Sequence, residues 1–489
     1  MHHAPRPPHR HRAEASRSVP HLGTGQLGLG LIVAACCAFG PVPAIGATVS
    51  WNAPLGFWND ATAWDGGVVP GAGDHASIES GATSVNADTA TVLQLDAARD
   101  TTTSVTAGTL DVAGTLNMAG QLVVKDSGTA QLERLQTTTS ADLLVQGPAA
   151  ALMLVPDANG DNGGFYHAGY GRIDTGARIQ GESLDNYREL WVTAGGTAAF
   201  NSAVNHTGSV LEVQGAGSEM LVTGSTTNRG ALTASSAGRF TSESFDNFGA
   251  MNLTDGATGN ANSLVNHTGA SVTVQGGSAL QVSGLITNRG DWVVQGPAAS
   301  VSADQYLQQA GHTWLRGDGH LTANALRFEG GELTGTGQVS GNAGFSGTAV
   351  LSPGNGPAAR GEIEFTNSLD LFGILAIELG GVNWFDQVLV GADANLGGTL
   401  RVSLFNNYTP EIGDSFDIVL ANAVFDGFDR LILPQFSGRT FDVVYGADFV
   451  RLTTTPVPLP PAGLLLAAAL GVLGLRRRAR PLRFLRPAT

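Results

Sequence analysis

The chain has 489 residues, of which 67 are glycine and only 14% are charged. This composition is typical of many short strands joined by tight turns, and it disfavours a protein built from long amphipathic helices. The totals are 26 basic and 41 acidic residues. Residues 1–47 contain four Arg and one Glu, and residues 476–489 contain six Arg, so the stretch between them has 16 basic and 40 acidic residues, a net charge of −24. This charge disfavours nucleic acid as a partner.

Residues 1–47 have the order of a secretory signal peptide. Four arginines precede an apolar run from Leu27 to Phe39, and small residues follow as far as Ala47, so we predict a signal helix removed by cleavage after Ala47. An alternative stays open, because the Val-Ala-Ala-Cys sequence that ends at Cys36 resembles a bacterial lipobox. Signal peptidase cleavage would leave a mature chain without cysteine, and lipoprotein processing would leave a lipidated Cys36.

The region 48–330 contains a repeated pattern centred on asparagine, with successive intervals of 19, 23, 19, 19 and 22 residues. The members of the series are Asn186, Asn205, Asn228, Asn247, Asn266 and Asn288. A period near 20, combined with alternating apolar residues, predicts an all-β fold, a parallel, right-handed β-helix (β-solenoid) whose coils stack on one another. We expect each Asn to occupy a recurring turn, where it tolerates a left-handed conformation, and to stack into a structural ladder along the axis.

Two flanking regions resemble parts of autotransporter-like surface proteins. Residues 56–78, which contain Trp58, Trp64 and a Pro-Gly-Ala-Gly-Asp sequence, look like their N-terminal cap. Residues 331–455, with Leu-Ser-Pro-Gly-Asn at 351–355, resemble the C-terminal end of autotransporter passenger domains, which implies that this region completes the β-helix. The tryptophans are expected to cover the open end of the core, and stacking on sugar rings is the alternative.

The end of the chain, 456–489, has three parts. A proline-rich sequence is followed by 14 apolar residues, 462–475, predicted to form a short helix, and then by an arginine cluster. The defining residues are Val457, Pro458, Leu459, Pro460, Arg476, Arg477 and Arg478. Fourteen residues fall short of the ~20 that span a bilayer, and the arginines would stay cytoplasmic.

This tail resembles the PEP-CTERM sorting signal, in its Val-Pro-Leu-Pro variant, of exported proteins in Gram-negative bacteria. The resemblance implies transient insertion in the inner membrane and processing by an exosortase-type membrane protease. Leu459 stands where the signal usually has Glu, and an ordinary tail anchor is the alternative.

The sequence contains few candidates for chemistry. Asp157, Asn159 and Asp161 alternate on a glycine-rich segment, as calcium ligands do, but the twelfth position is Ala168 and not Glu, so calcium is only a weak candidate and no other cofactor is predicted. His206 and His267 lie three predicted coils apart, ~14 Å, and cannot share a metal ion.

Export, sorting and repeats together favour a structural or adhesive protein of the cell envelope, cell surface or extracellular matrix, with exopolysaccharide or neighbouring cells as partners. The alternative is a polysaccharide-active β-helix enzyme, a lyase or glycosidase. For that alternative, Glu182, Asp185, Glu243 and Asp246 are expected one coil apart, at a spacing suited to paired carboxylates. No catalytic residue is assigned.

Overall fold

The computed structural model describes residues 46–156, 163–354 and 360–457, together with Leu466, Ala468, Leu470 and Gly471. The predicted signal peptide lies outside the described residues except for Gly46 and Ala47. Of the predicted helix 462–475, the four described residues are α-helical. No helix in the described part of the chain is long and apolar enough to cross a membrane.

The described residues between 46 and 457 form a parallel β-solenoid, as predicted, with two sheets that run along its axis. The larger sheet contains Thr48–Ser50, His75–Ile78, Thr89–Val92, Gln94–Ala97, Thr109–Met118, Thr129–Thr137, Ala151–Leu154, Gly164–His167, Arg178–Asn186, Thr197–Asn205, Glu219–Asn228, Arg239–Asn247, Thr258–Asn266, Ala279–Asn288, Ser300–Gln308, His320–Phe328, Gln338–Phe345, Glu362–Phe365, Leu369–Leu371, Gln387–Val390, Asp393–Leu396, Ser415–Leu420, Ala423–Asp426, Arg439–Tyr445 and Phe449–Pro456.

The smaller sheet is formed by the strands that follow these in each coil. They are Leu55–Phe57, Ala82–Val85, Thr102–Val105, Gln121–Lys125, Asp142–Gln146, Tyr170–Asp174, Glu189–Thr193, Val210–Gln214, Ala231–Ser235, Ala250–Leu253, Ser271–Gln275, Asp291–Gln295, His312–Arg316, Glu332–Gly335, Val350–Pro353, Ile374–Gly381, Trp384–Phe385, Thr399–Leu404 and Arg430–Ile432. Two 3-10 turns, Ala61–Ala63 and Asp65–Gly67, are the only helices among the residues described between 46 and 457.

One coil shows how the sequence pattern produces this cross-section. In Thr197–Asn205 every second residue is buried up to Phe200, after which two consecutive residues face outward and the alternation resumes at Ala203. The strand therefore bends at this position, because a strand with period 2 can keep both halves facing the core only if the phase slips by one residue. A turn containing Gly208, at φ 81°, then leads into Val210–Gln214 of the smaller sheet.

The first and last described coils of the solenoid differ in structure. Trp51, Trp58 and Trp64 pack edge to face at 5.0 and 4.9 Å between ring centroids and are almost fully buried. The prediction that Trp58 and Trp64 cover the first coils is thus confirmed, and stacking of these rings on sugar is excluded. At the other end, Arg439–Tyr445 and Phe449–Pro456 form an antiparallel pair that joins Ser415–Leu420. Strand pairing continues without a break across residues 330 and 331, since His320–Phe328 pairs with Gln338–Phe345.

Candidate functional site

The six recurring asparagines form one continuous ladder inside the solenoid. Each is the last residue of a bent strand of the larger sheet, and none is more than 1% exposed. From Asn186 to Asn266, every Nδ2 donates to the Oδ1 of the asparagine in the next coil, at 2.8–2.9 Å. The expectation of a left-handed turn was wrong: none of the six has a positive φ, because the strand stays extended and directs the amide inward.

The second hydrogen of each amide fastens the corner between the two sheets. Asn205 Nδ2 donates to the carbonyl of Ala231 at 3.0 Å, and Asn247 Nδ2 to that of Ser271 at 2.8 Å. These carbonyls belong to the first residues of smaller-sheet strands in the following coil. The ladder satisfies buried polar groups at a corner where the sheet bonds stop, so its role is structural.

The ladder extends beyond asparagine at both ends. Gln308, 20 residues after Asn288, occupies the same corner and donates to the carbonyls of Gly330 and Glu332. At the other end His167, 19 residues before Asn186, donates through Nε2 to the Glu189 carbonyl at 2.8 Å. Sequence reasoning missed both because it searched for one residue type, although the coil spacing marks both positions.

His167 is buried and neutral. Burial lowers the pKa of His167 to about 4. Its Nδ1 accepts from the Thr137 hydroxyl at 3.3 Å, which leaves no donor for the neighbouring Asn186 Oδ1. This atom is the one amide oxygen of the asparagine ladder that has no partner among the described residues.

The acidic residues proposed for the enzyme alternative are not brought together. Asp185 lies beside Val204, then Thr227, and only then Asp246, so the two carboxylates are three coils apart, ~14 Å, not one. The prediction of one-coil spacing was wrong because it compared local sequence and did not count coils. Glu182 accepts a hydrogen bond from Asn201, and Glu243 lies one residue before Ser244, at the corresponding position three coils away.

The two histidines belong to separate surface pairs. His206 Nε2 lies 3.1 Å from Asp185, and His267 Nε2 lies 3.0 Å from Asp246. Aromatic rings stack on both imidazoles at 3.8 Å, Tyr187 on the first and Phe248 on the second. No group of three or more His, Cys, Asp or Glu in the described part of the chain could hold a metal ion.

A trough on the outer face of the smaller sheet combines an aromatic ring with charged side chains. Trp314 lies at one end and Arg401 at the other, in the same outward column and four coils apart, ~19 Å. The floor between them is made of the small residues Thr334, Ser352 and Ala376. The remaining lining residues are His312, Glu332, Pro353, Glu378 and Ser403. The volume, about 390 Å³, is within the range of small-ligand pockets.

The trough combines one flat apolar surface with unpaired polar groups. Trp314 is held in place by the His312 ring, stacked at 5.0 Å, and by the Arg316 guanidinium at 5.5 Å. Among the described residues, the side chains of Glu332, Glu378 and Arg401 have no hydrogen-bonding partner. Desolvation raises the pKa of Glu378 above its ordinary value. Two carboxylates, a guanidinium and an indole are therefore available to a ligand.

Sequence reasoning did not identify this trough. Its residues are spread from 312 to 403 and share no local motif, so only the strand register places them side by side.

The other predicted site residues lie near or beyond the limits of the described chain. Val457 follows the last strand and donates its N–H to the Gly438 carbonyl at 2.9 Å. The rest of the sorting motif and the weak calcium candidate Asp157, Asn159 and Asp161 lie outside the described residues. No family model matches this sequence, and no curated protein shows significant similarity to it.

Proposed function

We propose that this protein is an exported structural and adhesive component of the cell envelope or extracellular matrix, and that its solenoid holds polysaccharide on its outer face. The trough between Trp314 and Arg401 is the observation that supports the proposal. An indole stacks on the apolar face of a sugar ring, while carboxylate and guanidinium groups bond its hydroxyls. Short stretches of neutral sugar polymer match this combination in size and chemistry.

Binding to the exopolysaccharide of the producing cells tests this function directly. Trp314→Ala and Arg401→Ala should each weaken retention of the purified protein on immobilised exopolysaccharide by roughly tenfold or more, equivalent to about 1.4 kcal/mol. Phe248→Ala is the matched control, because it removes an exposed ring that stacks on His267 at a distant corner. Equal retention of all four proteins, or no retention of the parent, would contradict the proposal.

The sorting part of the proposal is tested by intact-mass analysis of the exported protein. Its support is the order of basic, apolar and small residues in 1–47 and the proline, apolar and arginine segments of 456–489. We expect an N-terminus at Thr48 and loss of the arginine cluster through an exosortase-type protease. A lipidated Cys36 or an intact Arg478 would overturn the corresponding half.

A polysaccharide-cleaving enzyme remains the second candidate, and the raised pKa of Glu378 beside an aromatic trough is the observation that favours it. Glu332 and Glu378, however, are separated by two coils and four residues, about 16 Å between backbones. Glycosidase carboxyls lie roughly 5–10 Å apart. Release of reducing ends from the exopolysaccharide, abolished in Glu378→Gln, would establish the enzyme and displace the purely adhesive role.

A further inference from the structure

A second recess with an aromatic wall lies on the same outer face, nearer the N-terminus. It is lined by Asp142, Tyr170, Gly171, Arg172, Trp191, Thr193 and Gln214 and has a volume of about 380 Å³. Tyr170 is 44% exposed, and the Arg188 guanidinium lies 4.0 Å from its ring centroid and bonds its hydroxyl. The Tyr170 ring is therefore held by the Arg188 side chain.

The polar side of this recess is also fixed. Arg172 lies 2.8 Å from Asp174 and donates through Nε to the Thr193 hydroxyl at 3.3 Å. Trp191 is its direct neighbour in the next coil. The recess thus presents an indole directly beside an ion-paired guanidinium. The trough contains the same two chemical groups, but there they lie at opposite ends.

The two sites lie on one line. Successive pairings place Trp191 and Trp314 in the same outward column, six coils apart, ~29 Å. The residues between them are Glu212, Thr233, Asn252, Thr273 and Val293. None of these is aromatic or basic, and each is half-buried, so no bulky side chain interrupts the path.

We infer that the recess and the trough are two subsites for a single neutral polysaccharide chain that lies parallel to the solenoid axis. This inference rests on the proposed function. A neutral polymer is favoured because the solenoid carries a large excess of acidic residues, which repels polyanions. The line between the subsites offers hydroxyl, amide and carboxylate groups to sugar hydroxyls along its length.

Two subsites joined by one ligand predict a dependence of affinity on ligand length. A fragment that reaches only one subsite binds with the affinity of that subsite, whereas a longer chain gains the effective concentration of the second contact, typically 10²-fold or more. When either indole is removed alone, a long polysaccharide chain should bind the protein only as tightly as a short fragment does.

The probe is the exopolysaccharide of the producing cells, partially hydrolysed and fractionated by length. The affinity of each fraction for the full-length protein is measured by calorimetry. We expect fractions longer than the gap to bind roughly 100-fold more tightly than short ones. Trp191→Ala and Trp314→Ala should each abolish that difference while leaving short fragments bound at the remaining subsite, and the double variant should bind neither. Tyr187→Ala, an exposed ring outside the column, is the control, and unchanged thermal unfolding verifies that each variant is folded.

The outcomes separate this inference from the proposed function. Equal affinity for long and short fractions, or loss of long-chain binding in only one of the two tryptophan variants, would overturn the two-subsite arrangement and leave polysaccharide binding intact. Failure of every fraction to bind the parent would overturn both. Capture of a protein partner on the same face, lost in both variants, would also overturn the assignment of the line to polysaccharide.

Discussion

The primary amide suits the inner corner of the solenoid because it carries two donors and an acceptor in one plane. One donor reaches the next asparagine and the other a carbonyl of the next coil, while the oxygen accepts from the previous coil. Ser and Thr are too short for all three contacts, and a charged side chain would lack a counterion there. The recurrence of Asn at this position follows from that geometry.

Asn247→Ala should destabilise the solenoid strongly, because it removes three buried hydrogen bonds of the ladder. Asn247 accepts from Asn228 at 2.8 Å, donates to Asn266 at 2.9 Å and donates to the Ser271 carbonyl. Its removal leaves buried polar groups without partners, at ~1–3 kcal/mol each, so we expect a loss of about 3 kcal/mol in urea unfolding. Asn252→Ala, on the outer face, is the control and should change the free energy of unfolding by less than ~0.5 kcal/mol.

His167→Asn should make the protein more resistant to acid. The unfolded histidine has a pKa near 6.5, and burial lowers the folded value to about 4, so unfolding takes up a proton and stability falls as pH drops from about 6.5 to about 4. Asparagine does not titrate, and it can donate to both the Glu189 carbonyl and the unpartnered Asn186 Oδ1.

The measurement is the difference in unfolding free energy between parent and His167→Asn across that pH range. We expect the variant to gain up to about 3 kcal/mol at pH 4 relative to pH 7. The difference between the two proteins is used because burial raises the pKa of Asp386 to about 7. The protonation of Asp386 makes both proteins more stable as pH falls, which is opposite to the effect of His167, and it cancels in the difference. A difference that stays constant with pH would show that His167 is not the buried neutral group described.

At the level of the strand, tryptophan has different roles at buried and at outward-facing positions. Trp51, Trp58 and Trp64 close the first coils, and Trp64 Nε1 donates to the Trp58 carbonyl at 2.7 Å. Trp191 and Trp314 stand instead at outward positions of smaller-sheet strands. Burial decides whether an indole stabilises the fold or is available to a ligand.

Trp64→Ala should therefore cost about 3–5 kcal/mol and open the first coils selectively, because each coil of a solenoid contacts only its neighbours. Hydrogen exchange should accelerate in residues 48–105 and remain slow beyond about residue 200. Trp314→Ala is the matched comparison and should change unfolding by less than ~1 kcal/mol. Uniform acceleration along the chain after Trp64→Ala would contradict a local capping role.

The strand periodicity and the Asn spacing were sufficient to predict the coils and the ladder, since both repeat within about 20 residues. His167 and Gln308 could be assigned to the ladder only from their spacing of about one coil, because neither is an asparagine. The trough could not be predicted, because Trp314, Glu332 and Arg401 come to line one surface only through the register of successive strands. Variable turn lengths and bulges, such as the shift between Phe200 and Ala203, shift register by amounts that local sequence does not reveal.

On the scale of the whole solenoid, the outer surface is dominated by acidic charge. Residues 48–475 contain 40 acidic and 16 basic side chains, so the long-range field repels polyanions even where Arg172 or Arg401 offers a local contact. Aromatic stacking is nearly insensitive to salt, whereas this repulsion extends over a Debye length of ~10 Å at 0.1 M and ~3 Å at 1 M. Discrimination between neutral and acidic polymers should therefore depend on ionic strength.

A neutral polymer and its carboxymethylated derivative, matched in backbone and length, provide the test. At 0.01 M salt, where the Debye length is ~30 Å, we expect the derivative to bind at least tenfold more weakly. At 1 M salt the two affinities should converge, mainly by a faster association of the derivative, because long-range charge acts on encounter rates. If the derivative instead bound more tightly at low salt, the arginines of the two subsites would outweigh the field of the solenoid, and an acidic polysaccharide would be the better ligand class.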